Sequence, residues 1–169
     1  ETDSDAYAMQ LLTQVLSGGA SARLQSRFID EEEMALSVAS FPYVLEDAGI
    51  FILLGLPQIG KSLDSLIIGL DEETTRVKNE LITEREYEKA LNQIESSFIQ
   101  SNGSMSGIAE SLANYHVYYG DANLINNEIE RYRSVTREDI QRVAQKYLDL
   151  EKRVKLIYLP KDQAQSSAQ

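Results

Sequence analysis

The most informative segment of this 169-residue chain is residues 5–24, with the sequence DAYAMQLLTQVLSGGASARL. Its first half predicts an α-helix, because four apolar residues recur at the spacing that places them on one helix face. These four are Met9, Leu12, Val15 and Leu16. The Gly pair after Ser17 predicts the end of that helix, since glycine tolerates the left-handed backbone that closes a helix. A second, short helix is predicted from Ala22 to about Asp30.

An antiparallel hairpin is predicted next. Residues 35–45 are rich in residues that favour strands, and Pro42 within them marks an edge or a bulge. Residues 46–49, with the sequence EDAG, predict the turn. Residues 50–56 are nearly all apolar, which predicts a strand that is buried on both faces or central in its sheet.

Helices dominate the rest of the chain. Helical spacing and capping patterns predict helices over residues 62–80, from Thr83 to a break at residues 102–103, and over 104–119, 123–133 and 136–148. Residues 154–159 predict a closing strand. Long helices beside a few antiparallel strands indicate an α+β fold, in which the helices pack on an antiparallel sheet as a two-layer sandwich.

Three strands make a thin sheet for so much helix. We therefore expect the first strands of the sheet to be missing, ahead of Glu1, and the start at Glu1 rather than Met predicts a processed product or an excerpt of a longer chain. We predict one domain over residues 1–161, truncated at its N-terminal side. The polar residues 162–169 predict a disordered tail.

The composition excludes several classes of function. The net charge of −11 argues against nucleic-acid binding and against docking on anionic lipid, since both need positive charge. No apolar run approaches the ~20 residues that a membrane span needs. The chain has no Cys, and its one His is His116, so it cannot supply a zinc site that needs thiolates or two imidazoles. We expect His116 to be a partly buried packing residue.

Two groups of side chains are candidates for binding. Arg23 and Arg27 lie four residues apart on one short helix, a spacing at which two arginines can hold a carboxylate; the alternative is surface ion pairing with Asp30 or Glu31. Tyrosines near the end of the helix over 104–119 could stack on a ligand, although packing in a core or interface is favoured. They are Tyr115, Tyr118 and Tyr119.

Residues 5–24 resemble the start of the second repeat of the insulinase-like (M16, pitrilysin) zinc peptidases, where a helix ends in a Gly pair followed by Ser-x-Arg-Leu. The resemblance continues in order: LSVAS at residues 36–40, the DAG turn before the apolar strand over 50–56, VTREDI at 135–140, and a closing Tyr-x-Pro at 158–160. It implies an α+β domain, one of several that close around a chamber holding an unfolded peptide.

The chain departs from that family at two functional motifs. The zinc motif His-x-x-Glu-His, which belongs to the first repeat of the active half, is absent, so zinc is expected only in a separate catalytic domain. The peptide-gripping repeat carries an Arg and, seven residues later, a Tyr. Alignment on the flanking motifs places Ile29 and Leu36 at these positions, so the clamp is degenerate.

The resemblance therefore implies a non-catalytic domain of an M16-type zinc metallopeptidase, which forms wall and interface around the peptide chamber. The alternative is an assembly module that binds a partner subunit and has no role in proteolysis. Ser21, Arg23 and Arg27 are the candidate contacts to a peptide or partner, and a third hypothesis has the chain donate residues to another subunit's site. Expected partners are other M16-like domains and an unfolded peptide. We expect a bacterial source, and the periplasm is favoured over the cytoplasm.

Overall fold

We describe residues 4–44 and 49–159 in a computed structural model. The chain begins with α1 (Ser4–Ser17), α2 (Arg23–Gln25) and a π-helical turn (Ser26–Glu31), followed by the strands β1 (Ala35–Val44) and β2 (Gly49–Pro57). Five helices and a 3₁₀ turn follow. They are α3 (Leu63–Asn79), α4 (Glu84–Ser101), α5 (Met105–Tyr119), the 3₁₀ turn (Ala122–Asn127), α6 (Glu128–Ser134) and α7 (Arg137–Tyr147).

Helix α1 is the centre of the fold. It contacts β1 as well as α2, α4, α6 and α7, so it lies between the hairpin and the later helices. The predicted apolar stripe is buried, and so are residues outside it: Tyr7, Ala8 and Leu11. A helix that is enclosed on nearly all sides loses the one-sided pattern that sequence periodicity detects. The end of α1 is fixed to β1, because the Ser40 N–H donates to Ser17 Oγ at 2.9 Å.

The predicted helix boundaries are confirmed where capping chemistry defines them. Both α4 and α7 begin with a capping box, formed by Thr83 with Glu86 and by Thr136 with Asp139. In each box the cap hydroxyl accepts from the third backbone N–H, and the carboxylate accepts from the cap N–H. The helix predicted over residues 123–133 is instead divided into the 3₁₀ turn and α6.

The strands pair as an antiparallel hairpin, which confirms the prediction, and Leu36 is the extra residue of a bulge near the start of β1. The turn predicted at residues 46–49 lies mostly outside the described residues. The expectation that β2 is buried on both faces or central in its sheet is wrong. Only one face of the hairpin packs on the helices, and the sheet among the described residues has two strands. On the opposite face, Ile50, Leu54 and Leu56 are each more than half exposed.

The closing strand predicted over residues 154–159 is wrong. These residues are exposed, and none of their backbone groups pairs with the rest of the described chain. A strand requires a partner, and the hydrogen-bonded sheet within residues 4–44 and 49–159 has two strands, which pair with each other. The α+β fold class is nonetheless confirmed. The predicted domain end at residue 161 and the tail over 162–169 lie outside the described residues and stay predictions.

Candidate functional site

Arg23 forms an internal ion pair with a residue far along the chain. Its Nε lies 2.6 Å from Glu86 Oε1 and its Nη2 lies 3.0 Å from Oε2, which is the two-pronged geometry that guanidinium and carboxylate favour. Burial alone would raise the pKa of Glu86, but hydrogen bonds from Arg23 and from Thr83 lower it to about 2. Because Glu86 also completes the capping box of α4, this pair ties α2 to the start of α4.

Arg27 is held by three carboxylates. Its guanidinium lies 2.7 Å from Glu32, 2.5 Å from Glu72 and 3.0 Å from Glu73, whose side chain is only 5% exposed. The suggested ion pairing with Asp30 or Glu31 is therefore wrong for this arginine. The π-helical turn widens the backbone so that Glu32, five residues on, comes within reach, and packing of α3 supplies the other two carboxylates.

Ser21 is exposed at the edge of a polar groove. Its Oγ accepts a hydrogen bond from Lys89 Nζ at 2.7 Å. The groove has a volume of about 590 Å³ and lies between the loop after α1 and one face of α4. In its wall, Gln93 donates to the Gly18 carbonyl at 2.8 Å. Of the three candidate contact residues, Ser21 is thus accessible, whereas the guanidinium groups of Arg23 and Arg27 are committed to carboxylates.

The two degenerate clamp positions lie on different elements. Ile29 belongs to the π-helical turn and packs against the core, while Leu36 lies in the bulge of β1 and is 55% exposed. Neither side chain carries a hydrogen-bonding group, so neither can grip a peptide backbone as an Arg or Tyr could. That these two positions form a degenerate peptide clamp stays a prediction.

The residues present do not fit a catalytic zinc. His116 lies on α5 and is exposed, so the expectation of partial burial is wrong, because no residue of α5 is buried in this fold. Within residues 4–44 and 49–159, no three of the His, Asp and Glu side chains are grouped closely enough to hold a metal ion. A catalytic zinc site takes three protein ligands, which are commonly imidazoles and carboxylates.

A pocket rich in tyrosine lies where α1, α4, α5 and α6 meet, and its volume is about 270 Å³. We call it the tyrosine pocket. Its lining includes Tyr7, Asn102, Tyr115, Tyr119, Glu128 and Tyr132. The sequence pattern indicates Tyr115 and Tyr119, whose ring centroids lie 5.9 Å apart, but it does not indicate the pocket itself. Tyr118, the third tyrosine of that group, is 75% exposed.

The hairpin has an exposed apolar surface, which we call the outer sheet face and define by the hairpin residues that face away from the helices. Cross-strand pairing brings together Phe41 with Ile52, Tyr43 with Ile50, and Ala39 with Leu54, and Leu56 extends the row. Two directly paired residues of an antiparallel ladder lie on the same face, so these side chains form one apolar surface.

In the described part of the chain, no helix is long and apolar enough to cross a membrane.

Comparison with known proteins assigns the chain to a family. A family model described as the peptidase M16 inactive domain matches residues 1–94. An uncharacterised zinc protease of Streptomyces coelicolor is 26% identical over 147 residues, and the zinc protease PqqE of Helicobacter pylori is 27% identical over 146. These matches cover 87% and 85% of this chain but 32% of each relative, so the chain spans about a third of their length.

A solved structure with the same fold is the inactive peptidase domain of a protein described as a zinc protease, from Bordetella parapertussis. Its TM-score is 0.79 at 22% sequence identity, and the match covers 94% of this chain and 84% of that one. The fold and the family match agree: the chain belongs to the M16 peptidase family as an inactive, non-catalytic domain of the kind found in its zinc proteases.

Proposed function

We propose that this domain forms wall and interface around the peptide chamber of an M16 zinc metallopeptidase, whose zinc is held by a different domain. The observation that carries the proposal is the match to the inactive-domain family in a chain with one His and no Cys. The substrate is an unfolded peptide. The net charge of −11 favours basic peptides, because a surface of one sign raises the local concentration of ligands of the other.

The outer sheet face favours the alternative function, an assembly module that binds a partner subunit. Contiguous apolar surface on a hairpin marks a place where another chain or domain packs, and the exposed fractions of Ile50 and Leu54 are 61% and 52%. Other M16-like domains, in the same chain or in a partner subunit, are the expected occupants under both functions. What separates the two is whether a perturbation of this face changes proteolysis itself.

The experiment compares Leu54→Lys with Ile68→Lys in the full-length protein. Ile68 is 58% exposed on α3, so it is a matched control that adds the same charge at an apolar surface position away from the hairpin. A chamber wall predicts that Leu54→Lys raises the KM for a long unfolded peptide, with a smaller effect on a short fluorogenic peptide. An assembly module predicts weaker subunit association in ultracentrifugation, with unchanged kcat/KM for the enzyme that remains assembled.

Ser21, Arg23 and Arg27 are proposed contacts to the peptide or partner. Ser21 is supported by its exposure beside the polar groove, whereas the two arginines already have carboxylate partners within the domain. Ser21→Ala should therefore change peptide affinity without changing stability.

If the chain donates an arginine to another subunit's site, Arg23→Ala or Arg27→Ala in the assembled enzyme changes its kinetics; unchanged kinetics would remove that hypothesis.

We also propose a bacterial source and a periplasmic location. The relatives that support a bacterial source come from Streptomyces, Helicobacter and Bordetella. Fractionation of the source cells tests the location, because a periplasmic protein is released by osmotic shock and a cytoplasmic one is retained.

A further inference from the structure

We propose that the tyrosine pocket binds an arginine side chain presented by a peptide. The inference goes beyond the proposed function, because it holds whether the domain forms a chamber wall or an assembly module. It rests on two features of the described residues, which are aromatic walls and a carboxylate with spare acceptor positions. A buried amide oxygen that lacks a donor lies in a residue beside them.

The aromatic walls are built by residues distant in sequence. The rings of Tyr7 and Tyr132 pack edge to face, with centroids 4.8 Å apart. The rings of Tyr115 and Tyr119 contact each other at 5.9 Å. A planar guanidinium stacks well on tyrosine faces, and it does so better than a compact ammonium ion because it is planar and weakly hydrated. The pocket volume of about 270 Å³ is sufficient for one side chain of this size.

The carboxylate of Glu128 supplies the negative charge. Tyr7 donates its hydroxyl proton to Glu128 Oε2 at 3.0 Å, and Tyr115 also hydrogen bonds to this residue. Burial raises the pKa of the Tyr115 phenol, and the nearby charge of Glu128 raises it further, so Tyr115 stays a neutral donor. A carboxylate offers about four acceptor positions, so these two hydroxyls do not exhaust Glu128.

The amide of Asn102 supplies a further acceptor. Its Nδ2 donates to the Phe98 carbonyl at 2.9 Å, which fixes the amide orientation. Its Oδ1 is buried and has no hydrogen-bond partner among the described residues. A buried acceptor without a donor costs free energy. Because Oδ1 is closed to solvent, a guanidinium reaches it only if the Asn102 amide turns towards the pocket, so the main polar contact of the ligand is Glu128.

One cation already lies beside the pocket. Arg131 donates from Nη1 to the Tyr7 hydroxyl at 3.2 Å, so its charge opposes that of an incoming guanidinium. This gives the proposal a second, opposite test: removal of the Arg131 charge should strengthen binding, and removal of the Glu128 charge should weaken it. A purely structural role of both residues would not move affinity in opposite directions.

The experiment is a ligand-observed saturation-transfer NMR titration of the full-length protein with Nα-acetyl-arginine methylamide. The citrulline analogue has nearly the same shape without the charge, and the lysine analogue has the charge without the planar group. Glu130→Gln is the matched control for Glu128→Gln, because it removes the same charge from an exposed position on α6. Thermal unfolding by circular dichroism verifies that each variant is folded.

We expect the arginine probe to bind saturably and more tightly than both analogues. Glu128→Gln should weaken binding about tenfold, the usual scale for losing a charge-assisted hydrogen bond. Glu130→Gln should leave the affinity unchanged, and Arg131→Gln should increase it. Equal binding of arginine and citrulline, equal effects of the two glutamate substitutions, or absence of saturable binding would each overturn the proposal. None of these outcomes bears on the chamber-wall function, which the outer sheet face variants test separately.

Discussion

Asp5→Asn is predicted to destabilise the domain by removing the carboxylate that joins α1 to α7. The Asp5 side chain is 11% exposed, and its oxygens lie 2.6 Å from Arg142 Nη1 and 2.7 Å from Lys146 Nζ. The Tyr147 hydroxyl donates to the same carboxylate at 2.9 Å. Asp5 also lies in the first turn of α1, where a negative charge complements the helix dipole.

The pKa of Asp5 sets the magnitude of the effect. Hydrogen bonding from Lys146 contributes most to lowering this pKa from 3.8 to about 2, against the opposing effect of burial. At ~1.36 kcal/mol per unit, that difference corresponds to roughly 2 kcal/mol of stability near neutral pH. Because the side chains of Arg142 and Lys146 are 46% and 56% exposed, solvent screens the interaction. We therefore expect a loss of about 1–2 kcal/mol.

The sign of the pH dependence follows from the lowered pKa. The folded protein binds the Asp5 proton less tightly than the unfolded chain, so this stabilisation is fully present above pH 3.8 and is lost as the pH falls towards 2. Urea unfolding followed by circular dichroism, from about pH 6 to about pH 2.5, measures the difference between wild type and Asp5→Asn. That difference should shrink across this range. The control is Asp64→Asn, an exposed acid in the first turn of α3.

Two results would refute this reasoning. The first is that the difference in unfolding free energy between the wild type and Asp5→Asn stays constant from about pH 6 to about pH 2.5. It would mean that the lost stability comes from packing rather than from the charge. The second is an equal loss in Asp64→Asn, which would assign the effect to the helix dipole alone.

Two further predictions concern packing and ion pairing. Gly69→Ala should lower the stability of the domain in thermal unfolding by about 1–3 kcal/mol, because a Cβ at this position would lie 2.5 Å from the buried Phe28 ring. The additional change Phe28→Leu should recover part of the lost stability. Glu86→Gln should cost about 2–3 kcal/mol, because it leaves the guanidinium of Arg23, only 13% exposed, without its carboxylate. Glu84→Gln in the same helix turn removes an exposed carboxylate and should cost less than ~1 kcal/mol; equal losses would contradict the prediction.

The sequence predicted those features that depend on residues within about four positions of each other. The capping boxes at Thr83 and Thr136 and the glycine stop after Ser17 each involve one helix turn or less, so the residue types nearly define the structure. The family resemblance is equally readable, because it is a matter of residue identity in a fixed order.

The sequence did not predict which distant groups would meet. Arg27 pairs with Glu72 and Glu73, which lie 45 and 46 residues away, rather than with its acidic neighbours Asp30 and Glu31. The tyrosine pocket joins Tyr7 to Glu128 across 121 residues. No local spacing encodes these contacts, since they depend on how complete helices pack against one another.

What the sequence by itself determined is the type and limits of most elements, the family, and the absence of thiolates and of a second imidazole. What only the tertiary structure decided is the exposure of the outer sheet face, the carboxylate partners of the arginines, and the lack of a strand partner for residues 154–159 within the described part of the chain. The physical reason is the range of the interactions. Caps, turns and glycine conformations act within one helix turn, whereas strand pairing, burial and buried ion pairs depend on the arrangement of elements far apart in the chain.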